Sequence, residues 1–288
     1  MNNISSISYI ISFLILFNFS CQHDEEELEI VDPFIENPIK LPNIDLSNWK
    51  LQLPFEPYSV RPPQILNYAT NELLKPYMYN DSIEGALVFY TKPGKTTANT
   101  IYSRTELREQ IVAGSDKYNW TFESGGSIKG SLKLDNISND SNGRPHRTIV
   151  MQIHGRLTDE QKELINQKDN NAPPIMKVVW QDGYVSLHSK KLKNPNAVIP
   201  EILYTDSWIH NSYTFPQKVG NEIFTIEIKA KKGLMEVILN ETFSKVYSGN
   251  DIEKWGVFEN YFKAGNYLMT TDNNAFAYVK YYELNVEH

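Results

Sequence analysis

From about Leu41 onward the chain alternates apolar and polar residues with a period of two. This is the pattern of a β-strand that buries one face in a core and turns the other outward. Continuous helical periodicity is sparse, so strands are expected to dominate the structure. The alternation is clearest in three stretches, 149–154, 224–229 and 276–286.

Turn residues separate these runs at short intervals. Asp182-Gly183 lies between the apolar-rich stretches 178–180 and 184–187, which is a strong hairpin signal. The segment Lys231-Lys232-Gly233 similarly leads into a strand over 234–239. Many short strands joined by turns predict an all-β fold, an antiparallel β-sandwich or jelly roll with a concave cleft.

One short helix is also predicted. Thr158 and Gln161 have the spacing of a capping box, in which each side chain accepts a hydrogen bond from the other residue's backbone N–H. The helix is predicted to continue into Lys162–Ile165. We expect this helix within a loop, 155–174, and interpret that loop as a candidate lid over the cleft.

The first 20 residues have no acidic or basic side chain, and their apolar run, 10–17, suits a signal peptide but is too short to span a bilayer. Cys21, the only cysteine, follows directly. This placement favours a lipoprotein in which Cys21 carries the lipid, over an ordinary buried thiol. We therefore predict a signal peptide (1–20), a proline-containing tether (21–40) and one domain (41–288).

Composition and charge narrow the classes of protein further. The chain has 288 residues, of which 41% are hydrophobic and 22% charged, which excludes wholesale disorder and a multi-span membrane protein. The net charge of −7 argues against a nucleic-acid partner. Five of the acids lie within 24–29, and the rest of the chain holds 30 acidic and 28 basic residues. The predicted domain is therefore nearly neutral, and a local cationic site within it is compatible with the overall charge.

The first segment with candidate chemistry is Arg104-Thr105-Glu106-Leu107-Arg108. On a strand, Arg104, Glu106 and Arg108 share one face. A solvated outer face with alternating charges is the plain interpretation. The functional alternative is a cationic stripe, because arginine suits planar capture of a carboxylate.

Two further segments have the same strand spacing. In 149–154 the predicted core residues are Ile149, Met151 and Ile153, which leaves Gln152 and His154 on the opposite face. His154 has the intrinsic pKa of a general base, although a structural histidine has the same spacing. In 261–267, Tyr261, Lys263, Gly265 and Tyr267 share a face, which is either an aromatic-rich edge or a proton-transfer site.

Together these segments resemble the alginate lyases of polysaccharide lyase family 7. The matching stretches are RTELR (104–108), QIH (152–154) and YFKAGNY (261–267), in the family's order, and WKLQLP (49–54) is similar to its first strand. The resemblance covers roughly residues 41–288. One departure is Met269, where the family has Gln.

The resemblance implies a β-jelly roll that cleaves alginate by β-elimination without a metal or organic cofactor. Gln152 and an arginine, Arg104 or Arg108, would neutralise the substrate carboxylate; both arginines face the same way, so the choice stays open. Tyr267 would donate a proton to the leaving oxygen, and His154 would be the base for guluronate. The implied substrate-binding residues are Glu106, Lys263, Tyr261 and Asn266.

The isoleucine of QIH favours guluronate-containing blocks within the family, so we expect that preference. The expected partner is the anionic polysaccharide, with membrane attachment only through the lipid on Cys21 and no nucleic acid. We expect a monomer located in the cell envelope at the outer membrane, with secretion as the alternative. The alternatives are a lyase on another polyuronate such as glucuronan, a non-catalytic carbohydrate-binding jelly roll, and a glycoside hydrolase. The hydrolase needs paired carboxylates, but Glu106 and Glu109 lie on opposite faces of their strand.

Overall fold

The computed structural model describes residues 40–94 and 100–288. The predicted signal peptide, Cys21 and nearly all of the predicted tether lie outside the described residues. The described residues belong to one of the two units into which the chain divides, Pro38–His288. Their strands are β1 (Asn43–Ile44), β2 (Trp49–Gln52), β3 (Ser59–Val60), β4 (Met78–Asp81), β5 (Ala86–Thr91), β6 (Arg104–Glu109), β7 (Trp120–Thr121), β8 (Gly126–Ile137), β9 (Thr148–Arg156), β10 (Asn171–Gln181), β11 (Tyr184–Leu192), β12 (Trp208–Lys218), β13 (Phe224–Lys231), β14 (Leu234–Leu239), β15 (Phe243–Ser248), β16 (Glu259–Leu268) and β17 (Ala277–Glu287).

The strands of the described ranges form two sheets that pack as a sandwich. One sheet has eight strands in the order β15-β14-β13-β8-β17-β5-β4, with β1 paired to β17. The other has nine, in the order β12-β11-β10-β9-β16-β6-β2-β3, with β7 paired to β16. The all-β sandwich is therefore confirmed. In the nine-stranded sheet, the strands β9, β16 and β6, which carry the three candidate segments, are direct neighbours.

Alternation places the core between the sheets. Phe89 of β5, Phe262 of β16 and Tyr281 of β17 are fully buried, and the rings of Phe89 and Tyr281 meet edge to face at 5.6 Å. Such aromatic side chains bury large apolar areas. One face of β16 is thus held by the core, which leaves its other face for the cleft.

The predicted local elements are confirmed. The Asp182-Gly183 turn joins β10 to β11, and 231–233 joins β13 to β14. Helix α1 (Asp159–Leu164) begins after Thr158 with both capping-box hydrogen bonds to Gln161. A second helix, α2 (Asn250–Trp255), was not predicted, because its six residues are too few to show a helical period.

One sequence prediction about the core is wrong. β16 has an extra residue between Ala264 and Tyr267 relative to β9, so the pairing shifts and Tyr267 lies opposite Ile149. β16 keeps its register with β6 through this point, so the change of face falls on β9, which also shifts register against β10 between Met151 and Ile149. Ile149 therefore packs with Tyr267 on the cleft side, whereas Val150 joins the main core.

Candidate active site

Strand pairing brings the three motifs onto one face of the nine-stranded sheet. Lys263 of β16 lies opposite Arg108 of β6 on one side and opposite Gln152 of β9 on the other. Tyr267 lies opposite Arg104. Because directly paired residues project to the same side, these side chains share one face of the sheet.

A buried ionic network lies at the floor of this face. Glu106 is fully buried and forms an ion pair with Lys263, which is 2% exposed. The Gln152 amide donates to Glu106 at 2.5 Å, and Arg104 lies 3.6 Å from the same carboxylate. Burial lowers the pKa of Lys263 to about 7 even though Glu106 opposes that shift. The network thus gathers more positive than negative charge, which is the electrostatic requirement for binding an anion.

The two arginines, equivalent in the sequence, differ in their surroundings. Arg108 is held by Asp116 at 3.0 Å, by Asn119 at 3.1 Å and by a backbone carbonyl. Arg104 stacks on the Tyr267 ring, 3.9 Å from its centroid, and within residues 40–94 and 100–288 its one ion pair is the contact to Glu106. Arg104 therefore has hydrogen-bond donors left for a ligand, whereas those of Arg108 are largely used within the fold.

His154 is held as a neutral base. Its Nδ1 lies 2.9 Å from the Gly155 carbonyl oxygen, which only accepts, so Nδ1 carries the hydrogen and Nε2 keeps its lone pair. Burial, followed by the positive charge of Lys263, holds the pKa of His154 well below its usual range. The ring stacks on Tyr261, with centroids 5.1 Å apart.

Tyr267 is buried to 9% exposure, and its hydroxyl lies 2.6 Å from the Thr100 hydroxyl. Thr100 in turn donates to the Tyr102 carbonyl at 3.1 Å, so it can accept from Tyr267. Thr100 is a positioning residue that the sequence motifs do not include.

A cavity of about 260 Å³ unites the site. Arg104, His154, Tyr261 and Lys263 line it together with residues from the first strands and from 100–103. Tyr267 lines the adjoining depression, and Gln152, 1% exposed, is the neighbour of the cavity-lining Lys263 on the next strand. The arrangement places a neutral base and cations around one cavity and a phenol in the depression next to it.

The predicted role of Asn266 in substrate binding is wrong. Asn266 is fully buried, and its amide donates to the carbonyls of Phe89 and Ala277 while it accepts from Thr148. Asn266 pairs with Thr105, and both side chains face the core. This follows because neighbours along a strand point to opposite faces, and the residues next to them, Arg104 and Tyr267, face the cleft. Asn266 therefore joins the two sheets and does not face the cleft.

Four residues on this face of the sheet were given no role by the motif comparison: Lys50, Gln52, Lys177 and Lys190. Lys50 and Gln52 line the cavity from β2, and the alternation of WKLQLP already places them opposite its buried Trp and Leu residues. Lys177 and Lys190 lie on β10 and β11, where their alternation with valine, leucine and serine was the only available signal.

Comparison with known proteins gives a consistent result. The model of a family described as alginate lyase matches residues 44–288. A search of curated proteins found no match.

Several solved structures have this fold. The family 7 alginate lyase A1-II′, as a variant with a histidine and a tyrosine replaced and in complex with a GGMG substrate, is 30% identical, with a TM-score of 0.65 over 85% of this chain and 94% of its own. Another A1-II′ structure, with a GGG product, is also 30% identical, with a TM-score of 0.66 over 85% and 97% of the two chains. An alginate lyase from Pseudomonas aeruginosa is 20% identical, with a TM-score of 0.64 over 85% of this chain and all of its own, and supports the fold alone.

Proposed function

The chain belongs to the family 7 alginate lyases, and we propose that its cleft cleaves alginate by β-elimination at the 1,4-linkages. The observation that carries this proposal is the convergence of neutral His154, cationic Arg104, Lys263 and Tyr267 on one cavity and the depression that adjoins it. Each group matches one requirement of the reaction.

The first requirement is to acidify the proton on C5 of a uronate. Neutralising the adjacent carboxylate stabilises the enolate-like charge that develops there. Arg104 supplies free N–H donors, and Gln152 keeps one amide hydrogen after its bond to Glu106. Glu106 holds Gln152, Lys263 and Arg104 on one side of the cavity, and so acts as a positioning residue.

The second requirement is a base and an acid on the reacting sugar. For guluronate, Nε2 of His154 takes the C5 proton, and the electron pair of that C–H bond forms the C4–C5 double bond as the C4–O bond breaks. Tyr267 gives its phenolic proton to the departing oxygen. For mannuronate, whose C5 proton lies on the other face of the sugar, Tyr267 serves as base as well.

We propose a preference for guluronate-containing blocks. The lone pair on Nε2 of neutral His154 and the isoleucine of QIH support it. The A1-II′ complexes, with GGMG as substrate and GGG as product, show that a relative with this fold binds such chains. Exclusive cleavage of polymannuronate would contradict this preference.

The test is the near-ultraviolet absorbance of the unsaturated product, followed on polyguluronate, polymannuronate, mixed-block alginate and glucuronan. We expect His154→Ala and Tyr267→Phe each to lower kcat on polyguluronate by about 100-fold or more. Activity on glucuronan alone would reassign the substrate. Binding of alginate without any absorbance change would indicate a non-catalytic module, and undiminished activity in both variants would refute the site.

The two arginines provide a matched comparison. We expect Arg104→Ala to lower kcat on polyguluronate by about 100-fold, because it removes donors to the reacting carboxylate. Arg108→Ala should mainly lower the melting temperature, because it breaks the contacts to Asp116 and Asn119. The reverse result would assign the reacting carboxylate to Arg108.

We also propose that the enzyme is a lipid-anchored protein of the cell envelope, attached through Cys21. The support is the position of the single cysteine after the uncharged apolar leader. Residues 40–94 and 100–288 include no helix long and apolar enough to cross a membrane. Incorporation of labelled palmitate into the expressed chain, and its loss in Cys21→Ala, tests the anchor.

A further inference from the structure

A group of basic side chains extends the cleft face beyond the catalytic strands. Lys177 of β10 lies directly opposite Gln152 of β9 on one side and His188 of β11 on the other. Lys190 of β11 lies opposite His210 of β12, the outermost strand of this sheet. Adjacent strands are about 4.8 Å apart, so these four side chains continue the row of polar groups from the active site to the sheet edge.

Within residues 40–94 and 100–288, no acidic side chain contacts these two lysines. Lys177 and Lys190 are partly buried, and the side chain of neither forms a salt bridge or hydrogen bond with another described residue. Other lysines of this protein do have such partners; Lys280, for example, contacts Asp81 and Glu84. Partly desolvated ammonium groups without counter-ions are costly unless a ligand supplies the anion.

The pKa shifts of these basic side chains also indicate that an anionic ligand would be favoured here. Burial lowers the pKa of Lys177, and the positive charges of Lys190 and Arg104 lower it further against the opposing effect of Glu106. Burial also lowers the pKa values of His188 and His210, and Lys177 contributes to both shifts. A bound carboxylate would reverse each of these shifts, since it favours the protonated forms.

We propose that Lys177, Lys190, His188 and His210 form a subsite for the carboxylates of an anionic polysaccharide, beyond the sugar that reacts. The proposal rests on the function proposed above and deepens it. Lys177 lines the same depression as Tyr267, so the subsite is continuous with the catalytic cavity. A polyuronate chain that crosses the strands from His154 towards β12 presents one carboxylate per sugar to these groups in turn. Lys177 receives the nearer carboxylate and Lys190, with His210, a more distant one.

The test uses Lys190→Gln, because Lys190 is remote from the catalytic network, with Lys177→Gln as a second variant. Lys191→Gln is the matched control, since Lys191 is exposed, lies on the same strand and points to its other face. The measured quantity is the ratio of kcat/KM on long polyguluronate to kcat/KM on the shortest oligomer that is cleaved. Equilibrium binding of polyguluronate to each variant in a His154→Ala background gives a second readout.

We expect Lys190→Gln to lower the length ratio and the affinity for polyguluronate by about tenfold, the loss of one charged hydrogen bond. Lys191→Gln should change neither by more than about twofold. Equal behaviour of Lys190→Gln and Lys191→Gln would overturn the subsite even if the enzyme is fully active. Absence of lyase activity in the unmodified protein would refute the proposed function, and the binding comparison would then still decide the subsite.

Discussion

The substitution Glu106→Gln tests the buried network most directly. Glu106 is fully buried between Lys263, Gln152 and Arg104. Glutamine keeps the shape of the side chain and an oxygen that accepts from Gln152, but it removes the negative charge. Lys263, whose pKa is lowered to about 7 by burial against the effect of Glu106, then loses the anion that stabilises its ammonium form.

The expected magnitude has two parts. At about pH 6, where Lys263 is mostly protonated in the folded wild type, breaking one side of this buried ion pair costs about 3–5 kcal/mol of unfolding free energy. The second part depends on pH. In the unfolded chain Lys263 is protonated at neutral pH, and in the folded wild type it takes up its proton as the pH falls through about 7. In the folded variant its pKa is lower still, so over this range only the unfolded state binds the proton.

The sign and size of the pH-dependent part of the cost follow from this difference in proton binding between the folded and unfolded states. A state that binds more protons is favoured as the pH falls, so the variant loses stability relative to the wild type. The cost of the substitution should therefore grow by about 1.4 kcal/mol from about pH 8 to about pH 6. Urea unfolding followed by tryptophan fluorescence at the two pH values measures it.

Lys263→Met provides the control. In that background Glu106→Gln should show no such growth at low pH, because the titrating group is absent. A pH-independent cost in the original background, or the same growth in the Lys263→Met background, would refute the assignment of the pair.

Three further predictions concern residues around the site. Asn266→Ala should lower the unfolding free energy by about 3 kcal/mol, since it strands buried hydrogen-bond partners, and leave KM for alginate unchanged; a raised KM at unchanged stability would restore its predicted role in substrate binding. Gly265→Ala should cost at least about 2 kcal/mol, visible as a lower melting temperature, because φ is +135° and the new Cβ would lie 2.7 Å from the Thr105 carbonyl oxygen. Burial lowers the pKa of His288, but the contact with Glu109 outweighs burial, and the net shift raises the pKa. This pair therefore stabilises the fold fully below about pH 6.5, and its contribution is lost as the pH rises through the raised pKa. His288→Gln should remove this pH dependence from the urea unfolding midpoint.

Much of the site could be predicted from local sequence because the period of a strand is a local property. Alternation alone places Arg104, Glu106 and Arg108 on one face, and the structure confirms that Lys263 and Tyr267 face the same way. The same rule, applied to Asn266, points to the core, yet the family motif led to its assignment as a substrate-binding residue. Here the physical pattern was the better guide.

Other properties depend on neighbours that are distant along the chain. Gln152 and Glu106 are 46 residues apart, yet their contact orders the floor of the cavity. Asp116 decides that Arg104, and not Arg108, keeps free donors, and no spacing within RTELR contains that information. The register shift between β9 and β16 likewise places Ile149 on the cleft side and Val150 in the core.

The sequence by itself determined the strands, the turns between them and the face on which each motif side chain lies, because these follow from backbone geometry over a few residues. The tertiary structure alone decided the electrostatics: which arginine is free, that His154 is neutral, and that no acidic side chain of residues 40–94 and 100–288 contacts Lys177 or Lys190. Charge and burial are set by strand order in the sheet. Strand order is a long-range property of the folded chain, and the spacing of residues within one strand does not encode it.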